Sequence, residues 1–405
     1  MIEFDVTAKR KKPEIQSETQ TRYLVLGDFG AKPGQPIAID RDNIDQVLAR
    51  QEVTIAGSPL REIEDFHPDR LYQRLDAFRD LREGLVPEPE PSRPRSEPRA
   101  SIGDILRPSS LLDQIVEGGD PFQQYLRDLA RAHSATPQAP DPRRIAASGE
   151  SMRALLHHPR FQALESAWRG LDFVLRQPED DTAARIHIAQ FSRKDLERDL
   201  AEATDLRSTK IYALLHNRPW QGIFGLYTFG DSDADIDLLG RIALLADSAK
   251  APFVAEGSAD MGAHWEELRS IPEARRLGLA LPRFLLRLPY GAKSSAIESF
   301  AFEEMPAIPV HSHFLWGNPA LACLALLVSG TEEGDGLDLH HLPLHNYKED
   351  GEWKMTPCAE VWMTEPQVSA LMEQGFMPLV SFRDSDRIRL AGFRAINSAA
   401  LAAGR

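Results

Sequence analysis

The sequence predicts an α/β protein. Three segments typical of strands lie at residues 185–188, 222–229 and 253–255, and amphipathic helical patterns separate them. Strands that alternate with helices of this length usually join into one sheet that the helices cover. The chain has 405 residues, of which 42% are hydrophobic, so it can form one large domain or two ordinary ones. We therefore expect an α/β core with helical insertions.

The first 20 residues predict an extended amino-terminal arm. Ile2, Phe4 and Val6 alternate with other residues, as in a short strand, and a charged segment follows them. A lone strand leaves its backbone unpaired and three apolar side chains exposed. We expect the arm to be donated to the sheet edge of another chain, the alternative being a strand folded back onto its own domain.

A compact unit is predicted over residues 21–85. It opens with an apolar strand at residues 23–26, which two nearby glycines terminate. It closes with a predicted helix that carries four apolar side chains on one face. These side chains are Leu71, Leu75, Phe78 and Leu81.

Residues 86–107 predict a linker, because their proline-rich and charged composition cannot pack a core. The main domain is expected over residues 108–385, with a carboxy-terminal tail over 386–405. A helical stripe near its start, at residues 122–129, precedes a second proline-rich stretch at 136–142.

Helices in the main domain are indicated by apolar spacing and capping residues. The helix over residues 160–175 carries Phe161 and Trp168 on its apolar face, so both are expected in the core. A second helix opens at Ser192, with Asp195 in the capping-box position. Trp316 is also expected in the core.

Composition excludes several classes of function. There are 61 acidic and 47 basic residues, and the formal net charge of −14 argues against broad nucleic-acid or anionic-membrane binding. The longest apolar run, residues 320–328, is about half of the roughly 20 residues that a membrane span needs, and it predicts a buried helix. With two distant cysteines and no secretory signal, the sequence favours a cytoplasmic protein.

Motifs for catalysis, cofactors or metals are weak. Residues 27–30 read Gly-Asp-Phe-Gly, yet the sequence has no glycine-rich nucleotide loop or catalytic loop to accompany them, so a structural turn is expected. Asp338, His341 and His345 have the most ligand-like spacing, but Pro343 argues against the helix that would align them. We expect no catalytic residue, no cofactor and no metal.

Two arginines lie inside an apolar segment. Arg283 and Arg287 are surrounded by Phe and Leu residues, and buried guanidinium groups require carboxylate partners. Glu303 and Glu304 are the expected acceptors, either in a core ion pair or across a subunit contact.

The same segment resembles a signature of a known family. Residues 281–291 read Leu-Pro-Arg-Phe-Leu-Leu-Arg-Leu-Pro-Tyr-Gly, and Phe-Ala-Phe-Glu-Glu, Trp-Gly-Asn-Pro and Gly-Phe-Met-Pro-Leu follow at 300, 316 and 375. These motifs, with residues 111–115 and 158–171, resemble the large sheath subunit of type VI secretion systems, the TssC or VipB family. The resemblance covers about residues 108–385.

The first unit is similar to the small sheath subunit, the TssB or VipA family, on the strength of residues 23–29, 39–43 and 65–69. The resemblance implies that two separate proteins, which form an intertwined heterodimer, are represented here in one chain. The family polymerises around a tube of haemolysin-coregulated protein. The resemblance also implies contacts with baseplate proteins and a ClpV-type ATPase.

A sheath or sheath-like structural subunit without catalysis is thus the first hypothesis. The sequence departs from the family by ending soon after the Gly-Phe-Met-Pro-Leu motif, without the long carboxy-terminal part that helps weave subunits together. This departure favours the alternative, a soluble accessory or capping protein that binds sheath components without polymerising.

Overall fold

A computed structural model describes residues 21–83, 142–177, 184–201, 203–259, 264–330 and 337–401. The predicted arm, the linker over 86–107 and the helical stripe at 122–129 lie outside these residues. The strands are β1 (Thr21–Gly27), β2 (Ile37–Ile39), β3 (Thr54–Ile55), β4 (Ser58–Pro59), β5 (Ala184–Gln190), β6 (Gly222–Phe229), β7 (Phe253–Gly257), β8 (Leu277–Leu281), β9 (Phe284–Leu285), β10 (Trp316–Gly317), β11 (Asp338–Leu339), β12 (His345–Glu349), β13 (Glu352–Thr356), β14 (Phe376–Ser381) and β15 (Ile388–Leu390).

The α-helices follow the strands along the chain and carry the apolar stripes that the sequence indicates. They are α1 (Ile44–Arg50), α2 (Pro68–Arg74), α3 (Arg79–Arg82), α4 (Pro142–Leu156), α5 (Pro159–Leu175), α6 (Arg193–Ala201), α7 (Lys210–His216), α8 (Asp233–Ala249), α9 (Trp265–Ser270), α10 (Pro319–Val328) and α11 (Glu365–Glu373). The predicted α/β class is confirmed.

Nine strands form one mixed sheet in the order β11-β15-β14-β8-β7-β6-β1-β5-β2. The six strands from β14 to β5 are mutually parallel, whereas β2 at one edge and β15 and β11 at the other run antiparallel to their neighbours. Parallel strands buried on both faces read as continuous apolar runs, which is the pattern that the sequence shows.

Strand β1 is an interior strand of this sheet, third from one edge, between β5 and β6. Val25 is in register with Ile188 of β5 on one side and with Phe224 of β6 on the other. The predicted unit 21–85 and the predicted main domain therefore share one sheet.

Helices cover both faces of the sheet, because successive side chains of a strand point to opposite faces. Tyr23 and Val25 face the core under α5 and α10, whereas Leu24 and Leu26 face the core under α6 to α9. The helices α5 and α10 meet closely at Gly170, where an added Cβ would overlap Leu321 Cδ1.

Several helix ends carry the caps that sequence reasoning indicates. Ser192 and Asp195 form the predicted reciprocal pair at the start of α6, with each backbone N–H donating to the side chain of the other residue. The Ser232 hydroxyl accepts the Asp235 N–H at the start of α8. Asn318 does the same for Ala320 at the start of α10.

The helix predicted to carry Leu71, Leu75, Phe78 and Leu81 is interrupted, so this prediction was wrong in part. Helix α2 ends at Arg74, Leu75 has an extended backbone, and a 3₁₀ turn at Asp76–Phe78 leads into α3. All four side chains are nevertheless buried. Helical spacing identified the buried face but not the break.

A helix must be both long and apolar to span a membrane. Among the residues that the structure describes, no helix is both long and apolar enough to cross a bilayer. The run at residues 320–328 belongs to α10, which has nine buried residues out of ten.

Candidate functional site

The segment that follows β8 carries the two arginines singled out in the sequence. Every residue of β8 is buried, and the chain then continues past the carboxyl edge of the parallel strands, where β9 pairs with β10. Loops at this edge of an α/β sheet are the usual location of functional groups. The segment therefore places Arg283 beside the ends of β7 and β8, and Arg287 follows four residues later.

Arg287 lies at the centre of a buried ion-pair network. Its Nε donates to Glu165 Oε1 at 2.9 Å and its Nη1 donates to Glu304 Oε2 at 2.8 Å. Both glutamate side chains are fully buried. The Arg287 guanidinium also stacks over the Tyr290 ring, 4.2 Å from its centroid. Two carboxylates and an aromatic face thus surround one buried cation.

Further groups complete this network. Arg169 donates to Glu165 at 2.7 Å and to the Tyr290 hydroxyl at 3.0 Å. The backbone N–H of Tyr290 donates to Glu304 at 2.7 Å. Burial alone would raise the pKa of Glu304, but the Arg287 charge and these hydrogen bonds lower the pKa to about 2. Glu304 is therefore held in its charged form.

Arg283 forms a second, more exposed cluster. Its Nε donates to Glu360 Oε2 at 3.1 Å, its Nη2 contacts the other carboxylate oxygen, and Glu256 lies 3.8 Å away. His311 Nε2 lies 3.1 Å from Glu360. Burial raises the pKa of Glu256, and the nearby Arg283 charge offsets this only partly. By contrast, His311 and Arg283 outweigh the effect of burial at Glu360 and lower its pKa to about 2.

A pocket of about 370 Å³ opens beside this second cluster, with Glu256, Arg283, His311 and Asn318 in its wall. Asn318 donates to Glu256 at 3.3 Å, and Thr228 donates to the same carboxylate at 2.9 Å. The carboxylates of both clusters thus contact donors from their own chain. Both donors to Glu256 reach Oε2, and its Oε1 lies 3.8 Å from Arg283 Nε.

The expected acceptors for the arginines are only partly those observed. Arg287 and Glu304 form the expected pair, in the core rather than at the surface. Glu303 does not bind either arginine, and its carboxylate accepts the Ala292 N–H at 3.1 Å on an exposed loop. Within the chain Glu303 is therefore not an acceptor for the arginines, and its pairing across a subunit contact stays a prediction.

Glu165 and Glu360 were missed as partners. Glu360 lies 77 positions from Arg283, and no local pattern links the two. Glu165 could have been predicted from the sequence, because it lies four residues after Phe161 and three before Trp168 on the apolar stripe of α5. A charged residue on such a stripe must find a buried partner.

The three predicted core residues are buried. Phe161 and Trp168 are 2% and 0% exposed, and Trp168 Nε1 donates to the Phe29 carbonyl at 3.1 Å. Trp316 is 7% exposed, and its Nε1 donates to the His311 carbonyl. Ile2, Phe4 and Val6, the arm residues expected at a subunit contact, lie outside the described residues.

The residues with ligand-like spacing form hydrogen bonds and ion pairs within the chain. Asp28 accepts hydrogen bonds from Gly30 N at 3.1 Å and from Gln190 Nε2 at 2.9 Å, as in a structural turn. Asp338 pairs with Arg389 at 2.7 Å, and His345 Nδ1 contacts Thr356 Oγ1 at 3.0 Å. Within the ranges described above, His, Cys, Asp and Glu do not gather in threes that could hold a metal ion.

Comparisons with known proteins agree on one family. The family model described as EvpB/VC_A0108, tail sheath N-terminal domain, matches residues 146–264 and 259–399. The type VI secretion system sheath protein TssC1 of Pseudomonas aeruginosa is 29% identical over 292 residues, which cover 61% of this chain and 58% of that protein. The chain thus spans little more than half the length of this curated relative.

Proposed function

The chain belongs to the EvpB/VC_A0108 family of tail sheath proteins, and we propose on this basis that it is a structural subunit of a type VI secretion contractile sheath or of a sheath-like assembly. The family match carries the proposal. The buried ion pairs of Arg287 with Glu165 and Glu304 support a structural role, since these charged groups join distant segments of the chain. The proposed location is the cytoplasm.

Self-association of the purified full chain tests this function. Sedimentation velocity over a range of concentrations, followed by negative-stain microscopy, should reveal ordered tubes, rings or stacks. A chain that remains a monomer at every concentration and binds sheath components only as a monomer would instead be an accessory or capping protein.

We further propose that the chain fuses two sheath subunits, with residues 21–85 similar to the small subunit and residues 108–385 similar to the large one. The family match begins at residue 146, so the first unit rests on its own sequence motifs. The position of β1 between β5 and β6 supports the proposal, because a strand inserted into a partner's sheet is what an intertwined heterodimer requires.

The arm is proposed as the contact between successive subunits, through Ile2, Phe4 and Val6. Deletion of residues 1–7 should leave the protein folded, because the first strand of the sheet begins only at Thr21. The truncated chain should lose self-association, as measured by sedimentation velocity. Assembly equal to that of the full chain would show that the arm folds back onto its own domain.

The remaining partners follow from the family and are proposals of the same kind. They are other sheath subunits, the haemolysin-coregulated tube protein, baseplate proteins and a ClpV-type ATPase. Co-purification of the full chain with each candidate, with and without 0.5 M salt, would separate stable partners from charge-driven contacts. If the assembled chain co-purifies with none of these candidates, its function would be restricted to self-association.

A further inference from the structure

Exposed apolar side chains concentrate in one stretch of the described sequence. Of the eight large hydrophobic residues that are exposed, seven lie between positions 308 and 362. Scattered single residues of this kind are ordinary, but two of the seven, Leu344 and Trp353, line the same groove. The seven are Ile308, Val310, Leu327, Leu344, Trp353, Val361 and Trp362.

This groove has a volume of about 920 Å³. The segment 305–307 forms one wall, and the β12–β13 hairpin forms the other with Leu344 and Trp353. Trp353 is 68% exposed, although a side chain of this size is usually covered. The hairpin is a separate two-stranded sheet, so its strands hold the tryptophan beside the groove without burying it.

The rim of the groove is basic, in contrast to a chain whose formal net charge is −14. Lys293, Lys348 and Arg153 line it. Lys348 lies 5.3 Å from the Trp353 ring centroid, and Arg153 donates to the Glu303 carbonyl. Neither lysine forms an ion pair with any residue that the structure describes. Glu303 and Glu304 also line the groove, but Glu304 is paired with the buried Arg287, so the groove keeps an excess of positive charge.

The complementary surface is on the opposite face of the sheet. Helix α8 packs on the core that faces away from α5 and α10. Asp233 at its start is 89% exposed, and Glu267 of the neighbouring helix α9 is 80% exposed. Both carboxylates lie within 3.7 Å of His264, so they form one patch. Leu244, also exposed, lies further along α8.

We propose that the basic groove receives the acidic face of α8 and α9 from a second copy of this chain. This inference rests on the proposed self-association and names the surfaces that perform it. Carboxylates would meet Lys293 and Lys348, while apolar contact would cover Trp353. Because the two surfaces differ and lie on opposite faces, the contact is head-to-tail, and it leads to an open stack unless its rotation closes a ring.

Charge reversal of both surfaces in the full chain tests the docking. One variant is Lys293→Glu with Lys348→Glu, and the other is Asp233→Lys with Glu267→Lys. Each alone should need an about tenfold higher concentration for half-assembly in low salt, as measured by sedimentation velocity. An equimolar mixture should restore hetero-association, because the acidic groove of one variant then meets the basic helix face of the other.

A matched control for the lysine variant is Lys32→Glu with Arg50→Glu, which makes the same change in net charge at exposed positions that line a different pocket. It should assemble like the wild type, and circular dichroism should show that all variants are folded. Unchanged assembly of the two reversed variants, or no rescue on mixing them, would overturn this docking while the proposed function stands. A wild-type chain that never assembles would overturn the proposed function itself.

Discussion

At the scale of single residues, the Arg287 network shows how the protein stabilises a cation in its core. The guanidinium is 11% exposed and lies between two carboxylates that have no exposed surface. Removing one member of such a set leaves its partners charged and without compensation. The cost of the removal therefore exceeds the net contribution of the intact pairs.

Replacing Arg287 with Ala is expected to lower the free energy of unfolding by about 3–5 kcal/mol, because Glu165 and Glu304 would remain buried. Urea denaturation followed by circular dichroism measures this change. Arg283→Ala is the matched control, since the Arg283 side chain is 40% exposed and its loss should cost less. Equal effects of the two substitutions would contradict the assignment of Arg287 to the core.

Glu304 makes stability depend on acidity. Its pKa is about 2 in the folded protein and 4.5 in an ordinary glutamate, so its contribution is present above pH 4.5 and is lost as the pH falls through about 2. The free energy of unfolding should therefore decline between these values. Glu304→Gln should decline less steeply over the same interval, and parallel curves for the two proteins would refute the prediction.

Sequence reasoning reached part of this network. The apolar surroundings of Arg283 and Arg287 showed that both need carboxylates, and Glu304 was identified as an acceptor. Glu165 and Glu360 were not identified, because each is brought to its arginine by the packing of distant elements. The pairing follows from the tertiary fold rather than from sequence spacing.

At the scale of elements, the contact between α5 and α10 depends on a glycine. Gly170 has no side chain at the point where Leu321 packs, and Leu321 is 1% exposed. A helical glycine is ordinarily less favourable than alanine by about 1 kcal/mol, so its presence here has a packing reason. The close approach allows both helices to cover the same face of the sheet.

Gly170→Ala should destabilise the protein by about 1–2 kcal/mol, because overpacking against Leu321 outweighs the gain in helix propensity. The double variant Gly170→Ala with Leu321→Val should recover part of the loss, since valine is shorter. Thermal unfolding of both proteins and of Leu321→Val alone completes the cycle. A more stable Gly170→Ala protein would show that the helices can separate without cost.

The elements themselves were largely predictable. The apolar run at 222–229 became β6, and the stripe at 160–175 became α5, which begins one residue earlier. The break in the helix at Leu75 was not predictable, because a side chain can remain on the buried face while the backbone leaves the helical conformation. Nor did any local pattern indicate that β1 lies between two strands from the main domain.

At the scale of the whole molecule, the sheet joins the first unit to the rest. Strand β1 contributes all of its residues to the pairing with β5 and four of them to the pairing with β6. Without it, β5 and β2 have no hydrogen-bonded connection to β6 in the described sheet. The first unit is therefore an integral part of the sheet.

Cutting the chain within residues 86–107 and expressing the two pieces together should give a complex that co-purifies, because β1 must insert between β5 and β6. The second piece expressed alone should be insoluble or unfolded. A cut between residues 231 and 232, in the connection from β6 to β7, is the control. It should abolish co-purification of the two pieces. Two pieces that fold and purify separately would contradict the shared sheet.

The interior position of β1 also affects how the sheet can form during synthesis. This strand ends at Gly27, whereas the first of its two neighbours along the chain begins only at Ala184. At about 5–20 residues per second, translation supplies β5 on the order of 10–30 s after β1. The β5-β1-β6 part of the sheet is thus formed by contacts of high sequence separation, which form slowly. The apolar strand β1 therefore remains unpaired in the nascent chain, where chaperones can bind it, until β5 and β6 have been synthesised.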